Sequence, residues 1–262
     1  MAEPIIRVEN LSKAFGELVV LDDVTLDFER GMTTAIIGPS GTGKSVLLKH
    51  IVGLLEPDQG HVWVETGGRK IDMARASDAQ KYEVRKRFGM LFQDGALFDS
   101  MTAGENVAFP LTYHTKLTES QRRERAQAAL EKVELPDVID RPTARLSGGQ
   151  RKRVGLARAI ILEPEVVLFD EPNSGLDPMT SDTIDDMIGN LKRSLGITFV
   201  VITHDIVSCM NIADRVGMLY KGKLVQVGTV PELLRSRHEI VRKFLARNVK
   251  LGPPDGELVP AP

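Results

Sequence analysis

The chain is 262 residues long, and 42% of its residues are hydrophobic and 27% charged. This length predicts one large α/β domain, or a main domain with a smaller lobe. The formal net charge of -2 argues against a nucleic-acid-binding protein, because such domains are usually strongly basic. With one cysteine, Cys209, an intramolecular disulfide is excluded, and a buried apolar position is expected for that residue.

The first part of the chain predicts strands around a glycine-rich turn. Residues 5–30 form apolar stretches broken by turns, and VTLDFE alternates as a half-exposed strand does. TTAIIG predicts a strand that ends at the turn. SVLLKHIVGLL, residues 45–55, predicts a helix that is apolar over most of its surface, and HVWVE predicts a further strand.

The second part predicts helices and two fully buried strands. Residues 119–135 have apolar positions at 3–4 spacing within a charged segment, which indicates an amphipathic helix, and RKRVGLARAIIL predicts another. VVLFDE (166–171) and ITFVVITHD (197–205) are β-branched runs without alternation, which is typical of strands buried on both faces of a parallel sheet. Between them, a helix is predicted that ends at Gly196. Its expected core residues are Ile184, Met187, Ile188, Leu191 and Leu195.

The ends of the chain carry weaker signals. The start, MAEPIIRVEN, lacks the charged and apolar regions of a secretory signal, and no run of about 18 apolar residues occurs. We therefore expect any membrane process to be served through a partner. RHEIVRKFLA is either a packing helix or a partner contact, and LGPPDGELVPAP is expected to be loose.

The turn after TTAII matches a phosphate-binding motif. GPSGTGKS fits G-x-x-x-x-G-K-[ST], follows a strand and opens a helix. Glycines let backbone N–H groups converge on an anion, and the helix N-terminus adds partial positive charge. Lys44 can reach the β- and γ-phosphates, and the Ser45 hydroxyl can bind Mg²⁺. The expected ATP-binding residues are Gly38, Pro39, Ser40, Gly41, Thr42, Gly43, Lys44 and Ser45.

Titratable side chains end both buried strands. Asp170 can hold Mg²⁺ through its water shell, and Glu171 can act as the general base toward water. A pair of acids that merely caps a turn is the alternative. His204 ends the second strand, and ligands bind at the carboxyl ends of parallel strands. We therefore expect His204 to bond a γ-phosphate and orient water.

LSGGQ, Leu146 to Gln150, is a second predicted anion site because it precedes a helix. With GPSGTGKS, Gln93, VVLFDEP, SGLD and His204 in this order, it makes the chain resemble the nucleotide-binding subunit of ABC transporters over roughly residues 5–235. The resemblance implies an α/β P-loop NTPase core with a mainly parallel sheet, and an N-terminal antiparallel β subdomain. It also implies an ATPase domain over residues 5–240 with a helical subdomain inserted at about 94–160, followed by a C-terminal extension at 241–262 that is partly flexible.

The resemblance also implies an assembly and residue roles. Two copies form a C2 pair. Each ATP lies between the phosphate-binding loop of one copy (the P-loop, residues 38–45) and the LSGGQ segment of its partner (the signature, residues 146–150). Gln93 senses Mg²⁺ and water, and Asp177 communicates across the dimer. Phe15 stacks on adenine where the family often has Tyr; a core position is its alternative. The residues expected to contact the other subunit's ATP are Leu146, Ser147, Gly148, Gly149 and Gln150.

The segment after Gln93 carries partner information in this family. Val84 to Leu111, with GALFDS and AFPL, looks like the ATPases of Mce-type lipid transport systems, the Mla group. This implies an integral-membrane permease that docks at Ala96, Leu97 and Phe98, a periplasmic Mce-domain protein, and a phospholipid or other lipid cargo moved between inner and outer membranes. The chain would lie at the cytoplasmic face of the inner membrane, held there by the permease. Those three residues could instead be core filler.

Two other functions remain open from the sequence. The chain could power a different ABC transporter, such as one for polar amino acids. It could also be an ABC ATPase without transport, for example in iron–sulfur assembly; relatives in DNA repair carry long coiled coils and those in translation carry two ATPase copies, and this sequence has neither.

Overall fold

The computed structural model describes residues 4–247. The strands are β1 (Pro4–Phe15), β2 (Leu18–Glu29), β3 (Thr33–Ile37), β4 (Gln59–Thr66), β5 (Arg69–Asp72), β6 (Phe88–Leu91), β7 (Val166–Asp170), β8 (Thr198–Thr203), β9 (Arg215–Tyr220) and β10 (Lys223–Gly228). The helices are α1 (Lys44–Ile51), α2 (Asp78–Arg85), α3 (Ala103–His114), α4 (Glu119–Lys132), α5 (Gly148–Ile160), α6 (Pro178–Leu195), α7 (Ile206–Ile212), α8 (Val230–Leu234) and α9 (Glu239–Leu245), with a short 3-10 helix at Thr143–Arg145.

These strands form two sheets. The first is antiparallel, with the order β2-β1-β4-β5. The second has the order β10-β9-β3-β8-β7-β6, in which the five strands from β9 to β6 run parallel and only the edge strand β10 is antiparallel. The predicted fold class, a P-loop core with an N-terminal antiparallel subdomain, is confirmed.

The parallel sheet is buried on both faces, as its apolar runs predict. Every residue of β3 and β8 is buried. Along β7 the side chains alternate between two core clusters: Val166 and Leu168 pack with the antiparallel sheet and α1, whereas Val167 and Phe169 pack with the helices α3 to α6. The sheet is therefore the middle layer that supports the site at its carboxyl edge.

A helical block that includes α5 stands beside the sheet. Helices α3, α4 and α5 pack against one another through small and branched residues such as Val107, Ala126 and Val154. Both α3 and α4 begin with capping boxes, at Thr102 and Thr118, which satisfy backbone N–H groups that a helix start leaves unpaired. This block lies where an inserted helical subdomain is predicted; the domain boundaries themselves stay predictions.

Several sequence expectations need correction in detail. The first helix is shorter than residues 45–55, because the chain turns after Ile51 and passes through a left-handed Gly53. Leu195 lies in α6 but is 38% exposed, so it does not belong to the core. The Gly196 cap has the expected left-handed conformation, with φ of 64°.

The C-terminal region is only partly described. Helix α9 buries Val241 and Leu245 in a cluster with Ile37 and Met218, so the packing alternative for RHEIVRKFLA is the one observed. Cys209 is buried as predicted, and burial raises the pKa of its thiol to about 12. The predicted loose tail lies outside the described residues.

Candidate active site

The loop between β3 and α1 approaches neighbouring backbone so closely that two of its glycines cannot be replaced. A Cβ on Gly38 would stand 2.1 Å from the Leu219 carbonyl oxygen, and one on Gly43 would stand 2.6 Å from that of Val20. Both glycines also have positive φ angles, 150° and 99°. Their conformation turns the loop over the start of α1, which creates the predicted anion-binding concavity.

Lys44 is the buried cation of this concavity. Its Nζ donates to the carbonyl oxygens of Gly38, at 2.8 Å, and Pro39, at 3.0 Å. Burial lowers the pKa of Lys44, while the nearby carboxylates of Glu171 and Asp170 act in the opposite direction. The Lys44 side chain is thus held by the loop itself and lines the cavity at this edge of the sheet.

Three strands, β6, β7 and β8, bring the remaining predicted residues to the edge of the sheet where the P-loop lies. Gln93 follows β6, Asp170 ends β7, and His204 follows β8, next to the loop after β3. They enclose a cavity of about 320 Å³ together with the loop. Its lining consists of Val20, Ser40, Gly41, Gly43, Lys44, Ser45, Val46, Gln93, Asp170, Glu171 and His204. The parallel topology therefore assembles the P-loop with Gln93, Asp170, Glu171 and His204 within one chain.

Glu171 and His204 form a hydrogen-bonded pair. The Oε2 of Glu171 lies 2.8 Å from the His204 Nδ1 and accepts a second bond from the His204 backbone N–H at 3.3 Å. A carboxylate oxygen accepts in such a contact, so the bond forms in the His204 tautomer that has its proton on Nδ1. Glu171 has a left-handed backbone, with φ of 52°, and its N–H donates to the Ile202 carbonyl at 2.8 Å. Such a conformation is uncommon outside glycine and is held here by the neighbouring strand.

Asp170 and Ser45 offer hard oxygen atoms to the same cavity. The Ser45 hydroxyl donates to Asp170 Oδ1 at 3.2 Å. Burial raises the pKa of Asp170, whereas the bond from Ser45 and the Lys44 charge oppose the rise. Within residues 4–247, no group of three or more His, Cys, Asp or Glu side chains forms a metal cage.

The LSGGQ segment starts helix α5. Ser147 is the N-cap, and its hydroxyl accepts from the Gln150 N–H at 3.2 Å, while the Gln150 side chain accepts from the Ser147 N–H at 3.0 Å. A Cβ on Gly149 would stand 2.5 Å from the Thr180 methyl group, so this glycine lets α5 approach the start of α6. Leu146 is buried, and Gly148 lies near Leu176. No residue of the segment lines the 320 Å³ cavity.

Asp177 and Phe15 lie at surface positions around these loops. Asp177 caps α6: its carboxylate accepts from the Thr180 N–H at 3.0 Å and from the Thr180 hydroxyl at 2.6 Å, and these bonds lower its pKa. Phe15 is 48% exposed at the end of β1, with Lys13 Nζ 5.6 Å from its ring centroid. The ring face is thus accessible for stacking, and the core alternative for Phe15 is wrong.

Comparison with known proteins decides the family. The family model for ABC transporters matches residues 21–174. The chain belongs to the ABC transporter family. It is 41% identical over 245 residues to the intermembrane phospholipid transport system ATP-binding protein MlaF of Haemophilus influenzae, covering 94% of this chain and 91% of that one. It is also 41% identical over 248 residues to the probable ribonucleotide transport ATP-binding protein mkl of Mycobacterium leprae, covering 95% of this chain and 70% of that one.

A solved ATP-binding cassette shares this fold and was captured after ATP hydrolysis. The dimeric ATP-binding cassette MJ0796, in a post-hydrolysis state bound to ADP and Pi, is 31% identical with a TM-score of 0.77, covering 86% of this chain and 98% of that one. This ABC ATPase therefore binds ATP and hydrolyses it, as the sequence motifs predict. The roles of individual site residues stay predictions.

The three residues predicted to contact a permease differ in burial. Leu97 is 8% exposed and belongs to the core cluster of the helical block, so its place in a docking surface is a correction: it is a core residue. Phe98 is 42% exposed, and its ring centroid lies 4.6 Å from that of Phe109. Ala96 is exposed and has a φ of 46°. Successive side chains of this short loop therefore alternate in direction: Leu97 points into the core, and Ala96 and Phe98 point toward the surface.

Lys152 is a residue that the sequence interpretation missed: from the sequence, RKR at 151–153 is either a solvated helix start or, by the family resemblance, a segment near the dimer contact. Its side chain is buried and its Nζ donates to the carbonyl oxygens of Gln93 and Glu171. A signal was present: Lys152 lies three and four residues before Gly155 and Leu156, on the buried face of α5.

Proposed function

We propose that this cassette powers the transport of phospholipid or a related lipid between membranes, as a homodimer bound to an integral-membrane permease that works with an Mce-domain protein. The observation that carries this proposal is the 41% identity to MlaF over 94% of this chain and 91% of MlaF. MlaF of Escherichia coli K12 supports it at 39% identity over 92% of this chain. Placement at the cytoplasmic face of the inner membrane is part of the proposal.

One chain supplies the P-loop side of the ATP site but not the LSGGQ side, and this supports a homodimer. The P-loop cavity contains Lys44, Glu171 and His204 but no residue of the LSGGQ segment. The α5 N-terminus is a second anion-binding end on the same molecule, and a C2 pair would place it on the partner's ATP. The similar cassette MJ0796 is dimeric in its solved structure.

We propose Mg²⁺ as the cofactor, held by Ser45 and Asp170 with Gln93 nearby. Mg²⁺ usually takes one or two protein oxygens and fills its other positions with water and substrate phosphates, so the hydroxyl and carboxylate of this site fit it without a larger cage. When bound, the ion would neutralise charge on the phosphates. Lys44 would bind the phosphates, and Glu171 would accept a proton from water. His204, which is hydrogen-bonded to Glu171, would bond the γ-phosphate and orient that water.

The groove beside Phe98 supports the permease contact. It is lined by aromatic side chains that include Phe92, Phe98 and Phe109, and by the guanidinium groups of Arg85 and Arg158. The hydrogen bonds of both arginines go to backbone carbonyls, so their charge is not neutralised by those partners.

Among residues 4–247, no helix combines the length and hydropathy needed to cross a bilayer.

A paired substitution tests this surface. Phe98→Asp should leave the chain folded and detach the permease, whereas Leu97→Asp should cost several kcal/mol of folding stability, because it buries an unpaired charge. Co-purification from detergent-solubilised membranes and urea unfolding of each variant measure the two effects. If Phe98→Asp retained the permease at wild-type yield, the docking assignment would be wrong.

The cargo is tested by purifying the native complex and reconstituting it in liposomes. We expect an Mce-domain protein among the partners and ATP-dependent movement of a labelled phospholipid. The name of the mkl relative favours ribonucleotide cargo as the second candidate. Transport of labelled ribonucleotide without lipid movement would establish that alternative, and a polar amino acid-binding partner would exclude both.

A further inference from the structure

Lys152 occupies an unusual place for a lysine. It is 5% exposed, in the second turn of α5 after the signature. Its Nζ donates to the Gln93 carbonyl oxygen and to the Glu171 carbonyl oxygen, the latter at 3.2 Å. One ammonium group therefore joins the main chains of two residues that line the ATP cavity from different strands. Lys152 itself does not line that cavity.

The Gln93 loop is attached to α5 along several residues. Arg158 on the same helix donates to the Gly95 carbonyl at 2.6 Å and to the Ala96 carbonyl at 2.8 Å. A Cβ on Gly155 would stand 3.3 Å from the Gly95 Cα, so the helix and loop are in close contact. The loop and α5 thus form one unit, and the Lys152 bond to the Glu171 carbonyl attaches this unit to the residue that follows β7.

The backbone conformation of Glu171 needs contacts of this kind to hold it. Its left-handed backbone, with φ of 52°, is a conformation that persists only when surrounding contacts hold it. On one side its N–H donates to the Ile202 carbonyl. On the other side its carbonyl accepts from the Ser174 backbone N–H at 3.1 Å and from Lys152 at 3.2 Å. Together these bonds hold both ends of the residue whose side chain faces His204, and the Lys152 bond is the one that comes from another element, α5.

The electrostatics accommodate a buried ammonium at this point. Burial lowers the pKa of Lys152, and the carboxylates of Asp94, Glu171 and Asp170 act in the opposite direction. An apolar side chain would fill the same space without any desolvation cost. The side-chain amine of Lys152 instead has two carbonyl partners at this buried point, which an apolar side chain could not bond.

We propose that Lys152 is a positioning residue for hydrolysis: it ties the main chain of Gln93 to the main chain of Glu171, so that α5, the Gln93 loop and the end of β7 move together. The inference rests on the proposed role of Glu171 as the general base. Lys152 acts through these two residues, since it does not itself line the cavity. Displacement of a catalytic group by about 1 Å can lower a rate by about 100-fold.

The test measures steady-state ATP hydrolysis and urea unfolding of the full-length chain and four variants. Lys152→Met removes the donors and keeps a flexible side chain of similar length. We expect kcat to fall by about 10-fold or more with the KM for ATP within about twofold. Lys152→Gln keeps an N–H donor, and we expect it to recover kcat to within about threefold of wild type.

The matched control is Lys81→Met. Lys81 is 6% exposed, lies on α2, and donates to Glu56 at 3.4 Å, away from the ATP cavity. It reports the effect of removing a buried ammonium on stability alone, and its kcat should stay near the wild-type value. A wild-type kcat for Lys152→Met, a change in KM alone, or equal activity losses in Lys152→Met and Lys152→Gln would overturn the inference.

Glu171→Gln separates this inference from the proposed function. If Glu171→Gln is inactive and Lys152→Met is fully active, the positioning role is wrong and the general base stands. If Glu171→Gln hydrolyses ATP at the wild-type rate, Glu171 is not the general base. The proposal that Lys152 positions Glu171 for hydrolysis then fails as well.

Discussion

The chain has two glycine-rich segments that start helices, and they are built differently. The P-loop, residues 38–45, surrounds a buried lysine, and three neighbouring strands place Gln93, Asp170, Glu171 and His204 around it. The signature, residues 146–150, is closed by its own Ser147–Gln150 capping box. The first segment is thus surrounded by groups for phosphate chemistry, and the second offers a helix terminus and a hydroxyl. An anion-binding loop alone does not make an active site; the surrounding strand ends do.

The largest expected effect lies in the P-loop region, at the proposed base. Glu171→Gln should lower hydrolysis by about 10²–10⁴-fold, because the amide cannot accept the proton from water. ATP binding should persist, and the nucleotide-bound dimer should accumulate. Phosphate release and size-exclusion chromatography with ATP measure the two effects. Unchanged turnover would show that the base lies elsewhere.

Removal of the buried cation should mainly affect binding. Lys44→Ala loses charge-assisted bonds to phosphate, worth about 1.5–3 kcal/mol, so the Kd for ATP should rise by roughly 10–150-fold. Lys49→Ala is the matched control, because Lys49 is exposed on the same helix. Titration with a fluorescent ATP analogue measures both. Equal affinities for the two variants would contradict the special role of Lys44.

A substitution in the signature should have a smaller effect. It should also show whether Ser147 serves only the stability of α5 or ATP hydrolysis as well. Ser147→Ala removes the N-cap of α5 and should lower the free energy of unfolding by about 1 kcal/mol. Thr118→Ala removes the equivalent cap of α4, which has the same capping-box arrangement. Similar losses of stability are expected, with reduced hydrolysis only for Ser147→Ala. Parallel losses of hydrolysis would mean that the signature acts only as a helix cap.

The smallest expected effect concerns pH. Because burial raises the pKa of Asp170 in the folded state, its ionisation destabilises the fold as the pH rises from the ordinary value of 3.8 through the raised pKa. Asp170→Asn should therefore be more stable than wild type at pH 7, and this difference should shrink toward pH 4. Urea unfolding at several pH values measures it. Asp170→Asn should also lose hydrolysis, and a pH-independent stability difference would contradict the explanation.

Much of the fold and site follows from local patterns. VVLFD and TFVVIT predict their own burial because β-branched runs without alternation suit a sheet covered on both faces. GPSGTGKS needs no tertiary information, since its glycines and its position between strand and helix already define a phosphate loop. Strand ends at Asp170 and His204 place both residues at one edge once the strands are parallel. Element limits are less predictable: α1 stops four residues before the predicted end at residue 55.

The sequence by itself determined the family, the phosphate loop and the residues at the strand ends, because each depends on a short contiguous pattern. Only the tertiary structure decided that Leu97 points into the core while Phe98 stays exposed, and that Lys152 bonds the main chain of a residue 59 positions away. Loop direction and long-range contacts depend on how α5 packs against the Gln93 loop. That packing is a property of the assembled chain, and no local period encodes it.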